Sequence, residues 1–317
     1  MEKVALPDSL QSDSASPPRL RGVVPVLCTP FLDDEGLDED GLLAQIEFAA
    51  AQGANALCAP AFGSEYYKLT HAERLRVAEL LARHSRVPAL INCGAGSLRE
   101  TVAFCDHAAS IGAAAIMVAP PSTVPLGAEE IRRFYEAVCR NVRLPLMLQD
   151  SDFSGAGLPL ELFVRLSEQF PQFRYAKLEN PLAGTKCRRI IEQSRGRVQV
   201  MYGWGGMRLF DGLDHGAAGI MPGAAMTRLY VRIMDLYQSG STTQAQSLFE
   251  KLLPLLVFSL QHLELFISME KRMLTRLGVF KSARLREPTL HLEDEYERRL
   301  QMLMDQVLAE MAAIAPR

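Results

Sequence analysis

Between Gly22 and Pro222 the chain alternates short, continuously apolar runs with segments of helical pattern, and no other feature constrains its fold so strongly. Eight such runs stand out: GVVPVLCT (22–29), ANALCAPA (54–61), VPALINCG (87–94), AAIMVAP (114–120), LPLMLQD (144–150), RYAKLE (174–179), VQVMYG (198–203) and AGIMP (218–222). A strand that is apolar on both faces is covered on both sides, as parallel strands are. Half-exposed antiparallel strands alternate polar with apolar residues instead. The segments between, such as 39–52 and 71–84, space their apolar residues three and four apart, the stripe of a helix with one buried face. Ser97, with Glu100 three places on, predicts a capping box at the start of the third helix.

Repeated βα units in this number fit an α/β fold of the (β/α)8 TIM barrel type. The competitor, a doubly wound open sheet, usually carries a glycine-rich phosphate loop at its first turn. That turn here reads CTPFLDDEG (28–36), with no Gly-x-Gly-x-x-Gly. Past residue 240 the pattern turns wholly helical, over 245–278 and again over 293–312. Three regions are therefore expected: a loose N-terminal tail (1–20), the barrel (21–238) and a C-terminal helical appendage (239–317), packed on the barrel or on another subunit.

The balance of charge narrows the partners. With 34 Lys and Arg against 37 Asp and Glu, the net charge of -3 creates no basic field, so nucleic acid and anionic membrane are not expected as partners. No run of about eighteen apolar residues predicts a membrane span. The first twenty residues, rich in Ser, Pro and Asp, lack the apolar stretch of a secretory signal. The six cysteines are scattered, with neither a Cys-x-x-Cys pair nor a Cys/His cluster, which argues against a zinc site and suits a reducing cytoplasm.

In a barrel the catalytic groups lie at the C-terminal ends of the strands. That rule selects Thr29, Pro30, Gly63, Ser64, Glu65, Asn92, Pro120, Pro121, Gln149, Asp150, Lys177, Glu179, the Gly203-Trp204-Gly205-Gly206 turn and Met221. Lys177 stands out, because an isolated ammonium in an apolar strand costs several kcal/mol unless it is paired or used. Glu179, two places on, shares its face. Chemistry alone leaves two readings open: a structural ion pair, or a desolvated lysine ready to form a Schiff base with a ketone.

The segments GVVPVLCTPF with DEGLDEDGL, GSEYYKLTHAER, AAAIMVAPP, LPLMLQD and YAKLEN resemble the dihydrodipicolinate synthase / N-acetylneuraminate lyase family of Schiff-base (class I) aldolases and dehydratases, over nearly the whole chain. The resemblance implies a barrel with a helical C-terminal domain, a homo-oligomer (tetramer or dimer), a small 2-keto acid as substrate, and Lys177 as the Schiff-base nucleophile. It implies no cofactor, since the lysine itself forms the covalent intermediate.

The departures from the family pattern carry information too. The carboxylate-holding Gly-Thr-Thr-Gly-Glu or Gly-Ser-Thr-Gly-Glu after strand two is here Ala61-Phe62-Gly63-Ser64-Glu65, leaving the Ser64 hydroxyl and the Gly63 amide as the expected cradle. Gln149 replaces the tyrosine that shuttles protons, Pro121-Ser122 replaces a Tyr-Tyr pair, and QDSDFSGAG (149–157) lacks the arginine that clamps the second substrate of dihydrodipicolinate synthase. Glu179 then becomes the expected acid/base, with Gln149, Trp204, Gly205 and Met221 shaping the pocket. The chain most resembles the 2-keto-3-deoxy-arabonate dehydratases, although Trp204 stands where their Gly-Asn-Gly-Gly turn has asparagine. Expected is a lyase that dehydrates, or cleaves by retro-aldol chemistry, a 2-keto-3-deoxy sugar acid. Its rivals are another pyruvate-dependent aldolase, a metal-dependent lyase using Glu65, Asp150 and Glu179, and a non-catalytic keto-acid binder. His71, His107 and His215 are not expected to act as bases.

Overall fold

A computed structural model describes residues 20–121, 125–153 and 155–314. The tail expected over 1–20 thus lies, except for Leu20, outside the described residues, as does Ser122. All eight apolar runs form strands: β1 (Gly22–Val23), β2 (Leu57–Ala59), β3 (Ala89–Asn92), β4 (Ala115–Val118), β5 (Leu146–Asp150), β6 (Phe173–Leu178), β7 (Gln199–Tyr202) and β8 (Gly219–Ile220). They pair in parallel in the order β1-β8-β7-β6-β5-β4-β3-β2. The remaining seam closes where Leu27 N–H donates to Cys58 O at 2.9 Å and Cys58 N–H to Pro25 O at 3.0 Å. The result is a (β/α)8 TIM barrel. Its first strand is much shorter than the run that predicts it, and Pro25, which has no N–H for the ladder, interrupts it.

Barrel helices α1 (Glu39–Ala51), α2 (His71–His84), α3 (Leu98–Ser110), α4 (Ala128–Asn141), α5 (Leu160–Gln169), α6 (Gly184–Gln193), α7 (Leu209–Asp214) and α8 (Thr227–Gln238) each follow their strand. The capping box falls at α2, not α3. Thr70 accepts from Glu73 N–H while the Glu73 carboxylate returns to Thr70 N–H at 2.8 Å. Ser97 does cap α3, but Glu100 turns outward to His71 Nδ1 at 3.3 Å.

Two apolar layers result. One lies between sheet and helices; the other fills the barrel with Val24, Cys58, Leu90, Met117, Met147, Tyr175 and Met201. Leu20 closes the bottom of that inner layer, its N–H donating to the Tyr175 hydroxyl at 3.3 Å. The chain then adds α9 (Thr242–Glu250), α10 (Leu253–Ser259), α11 (Leu263–Arg276) and α12 (Asp294–Ala313). Helix α11 packs against the strand mouths of this same chain: Glu270 accepts from Ala225 N–H at 2.9 Å, and Lys271 pairs with the buried Glu65. No helix among the described residues is long and apolar enough to cross a membrane.

Candidate active site

Strand β6 brings the reactive pair together. Tyr175 belongs to the packed barrel interior, and two residues further along the same face stands Lys177, aligned with Gln149 on β5 and Met201 on β7. Glu179 follows just past the strand end. The Lys177 ammonium lies 3.1 Å from Glu179 Oε1, with both side chains about one-twentieth exposed. Oε1 also accepts the Trp204 N–H at 3.1 Å, and Oε2 accepts Gln149 Nε2 at 2.7 Å. Three donors on one carboxylate fix its direction. Arg208, which sequence reasoning missed, donates to the Glu179 backbone carbonyl at 2.6 Å and so anchors the turn that carries this group.

Gly203 explains why the pair can sit so close to the next strand. A Cβ there would stand 2.3 Å from Glu179 Oε1 and 2.5 Å from the Lys177 Cε. Trp204 follows with φ 51°, a left-handed conformation rarely held by a bulky side chain. Its indole stacks on Phe153, with ring centroids 4.4 Å apart and planes at 30°. Phe62 meets Phe153 edge-on at 5.9 Å.

Lys177, Glu179, Gly63, Trp204, Gly205 and Met221 line one cavity of about 40 Å³, as the strand-end rule expects. Gln149 stands behind Glu179. Ser64 does not face the cavity. Its hydroxyl is buried, donates to the Leu27 carbonyl at 2.5 Å and accepts from Ala61 N–H at 2.9 Å, so its only proton is used within the fold. The expectation that the Ser64 hydroxyl cradles a carboxylate is therefore corrected. In the 3-10 turn Phe62–Ser64, the amides of Phe62 and Gly63 have no partner within the turn, as at any helix start, which leaves Gly63 as the donor of the expected cradle that borders the cavity.

Sequence reasoning also missed Val26, Phe62, Phe153, Leu260, Leu263 and Phe266 as cavity residues. The last three come from the link after α10 and from α11, more than fifty residues past the barrel turn they meet; no local pattern announces that approach. Larger hollows, of about 430 Å³ near Gln52, Arg228 and Asp235 and about 380 Å³ near Arg21 and Asn55, lie at the opposite end of the barrel. They hold no comparable reactive pair.

The three carboxylates of a metal-dependent reading are not brought together. Asp150 binds Lys186 at 2.5 Å, and burial pushes its carboxyl up. Glu65 faces Lys271 and Lys68. Among the described residues no group of three His, Cys, Asp or Glu could hold a metal ion. Cys58 lies within the field of the Lys177–Glu179 pair, but burial pushes its thiol up to about 12, so it stays protonated.

A (β/α)8 barrel with a lysine and a carboxylate paired at the mouth of its sixth strand defines a class of lyase. Residues 19–307 match the model of the dihydrodipicolinate synthetase family, and the chain belongs to that family. It is 28% identical over 288 residues to an L-2-keto-3-deoxyarabonate dehydratase of Azospirillum brasilense, covering 89% of this chain and 93% of the relative. A 4-hydroxy-tetrahydrodipicolinate synthase of Methanothrix thermoacetophila is likewise 28% identical, over 74% of this chain and 80% of its own length. The crystal structure of dihydrodipicolinate synthase from Rhodopseudomonas palustris superposes with a TM-score of 0.84 at 22% identity, covering 91% of this chain and 98% of that one, and shows the shared fold.

Proposed function

We propose that the protein dehydrates a 4-hydroxy-2-keto acid, the unit contained in every 2-keto-3-deoxy sugar acid, through a Schiff base on Lys177. The observation that carries this is the pairing of Lys177 with Glu179 at 3.1 Å inside a cavity, with the usual tyrosine position held by Gln149. Glu179 takes a proton from the Lys177 ammonium, and the neutral amine attacks C2 of the ketone. Glu179 returns that proton as the oxygen leaves as water, giving an iminium with Glu179 again a carboxylate. The iminium draws electrons from the C3–H bond, and Glu179 takes the proton, giving an enamine. Collapse of the enamine expels the C4 hydroxyl, which leaves as water with the proton returned by Glu179. Hydrolysis of the unsaturated iminium releases a 2-keto-3-enoic acid and the free lysine. The net change is the loss of one water, and the route as written needs no cofactor.

Dehydration is favoured over retro-aldol cleavage because cleavage needs a base at the C4 hydroxyl, the task the family's tyrosine performs. The Azospirillum relative is itself a dehydratase, which supports the same choice. The Gly63 amide is assigned to the substrate carboxylate, and Trp204, Gly205 and Met221 to the pocket walls. The chain is further proposed to act as a homo-oligomer, tetramer or dimer, in the cytoplasm. Six cysteines, all buried as free thiols, suit a reducing compartment.

The test is inactivation by borohydride in the presence of pyruvate. Wild type is expected to lose activity only when both reagents are present, and Lys177→Ala to show neither turnover nor labelling. Turnover of a 4-hydroxy-2-keto acid by Lys177→Ala would overturn the assignment.

A further inference from the structure

The walls around the Lys177–Glu179 pair are apolar. Val26, Phe62, Phe153, Trp204, Leu263 and Phe266 form most of them, and α11 contributes the last two. Among the described lining residues, the polar side chains are Lys177, Glu179 and the single indole N–H of Trp204. Lys177 and Glu179 already bind one another, and the carboxylate also holds Gln149 and the Trp204 amide. A polyhydroxylated tail closed into this chamber would leave hydroxyls unpaired, an arrangement that buried polar groups avoid.

The aromatic residues are also held in a costly geometry. Trp204 keeps φ 51° where glycine or asparagine would be unstrained, and its ring is spent on stacking with Phe153 over the cavity. Gly205, at φ +60°, lets this turn approach α11 closely. A Cβ there would come within 2.9 Å of the Phe266 ring and 3.1 Å of Leu260. The fold thus brings a flat, apolar wall of Trp204 and Phe153 to the same cavity as the Lys177–Glu179 pair.

Resting on the Schiff-base reading above, we propose that the substrate is a 4-hydroxy-2-keto acid whose C4 substituent is apolar, an aryl group above all, and not a sugar chain. The reacting C1–C4 unit meets the polar pair while the substituent packs against Trp204 and Phe153. Loss of water from such a substrate gives an aryl-conjugated 2-keto-3-enoate, by the bond changes already written.

The experiment compares 4-hydroxy-2-oxo-4-phenylbutanoate with 2-keto-3-deoxypentonate, in wild type and in Trp204→Asn. Borohydride trapping with pyruvate runs in parallel as the measure of Schiff-base competence. Wild type is expected to favour the phenyl substrate in kcat/KM by about tenfold or more, the scale on which an apolar pocket discriminates. Trp204→Asn, whose side chain tolerates positive φ and offers polar groups, is expected to lower that ratio about tenfold while pyruvate trapping persists. Trapping together with an equal or better rate on the pentonate overturns the proposal and spares the Schiff-base reading. Trapping with turnover of neither substrate overturns it as well. Absence of trapping in wild type overturns the Schiff-base reading itself.

Discussion

Glu179 holds three donors on two oxygens, and they divide between two tasks. Gln149 and the Trp204 amide fix its orientation, whereas Lys177 is the group it serves. Replacing it with glutamine keeps the shape and removes the proposed proton carrier. Glu179→Gln is therefore expected to retain pyruvate trapping while kcat falls about 10²- to 10⁴-fold, as loss of a general acid/base does; kcat close to wild type would assign proton transfer to another group. Gly203→Ala should fail earlier, since its Cβ would stand 2.3 Å from Glu179 Oε1, and a loss of trapping itself would show that. At this scale the sequence was informative in one direction only. Period-two spacing placed Lys177 and Glu179 on one face, and they meet. The role of Ser64 was misread because its hydroxyl could bond inward as readily as outward, and Leu27 O supplies an inward acceptor that no local pattern marks.

Helix α11 decides more than the barrel elements do about the roof of the site. It carries Leu263 and Phe266 to the cavity and, one turn on, two adjacent charged residues that are wholly buried, Glu270 and Lys271. Lys271 pairs with Glu65, donates to the Arg284 carbonyl at 2.8 Å and lies 4.3 Å from the centre of the Phe31 ring. Lys271→Ala leaves the Glu65 carboxylate with less compensation and is expected to cost about 3–5 kcal/mol, read from denaturant unfolding.

Glu270 accepts the backbone N–H groups of Ala224 and Ala225, but burial dominates and pushes its carboxyl up to about 7. The folded protein then binds this proton more tightly than the unfolded chain does. Stability from this group is full below the unfolded pKa, declines as pH rises through the range between about 4.5 and about 7, and is lost above it. The change is on the order of 3 kcal/mol. Wild-type Tm is expected to fall as pH rises across that interval, and Glu270→Gln to flatten the fall; parallel curves for the two proteins would contradict the assignment. The charged run in α11 was legible as a helix, but the burial of its polar residues was not. Their partners, Glu65 and the β8–α8 loop, are distant in sequence.

Across the whole molecule, the eight strands were readable because parallel strands covered on both sides leave unbroken apolar runs, and every run became a strand. Strand order and closure followed from the barrel rule. The position of the C-terminal helices did not, because an amphipathic helix states that it has a buried face without stating what covers it. Here the mouth of the same barrel lies against α11, so the site is completed by residues from both ends of the chain. A single peak of monomer mass in light scattering would contradict the proposed homo-oligomer; a dimer or tetramer mass is expected. The central claim is that Lys177 is the nucleophile, and peptide mapping by mass spectrometry after borohydride reduction with pyruvate tests it most directly. The account predicts one carboxyethyl group on the Lys177 side chain and none on the buried Lys271; an unmodified Lys177, or a label at another lysine, would contradict it.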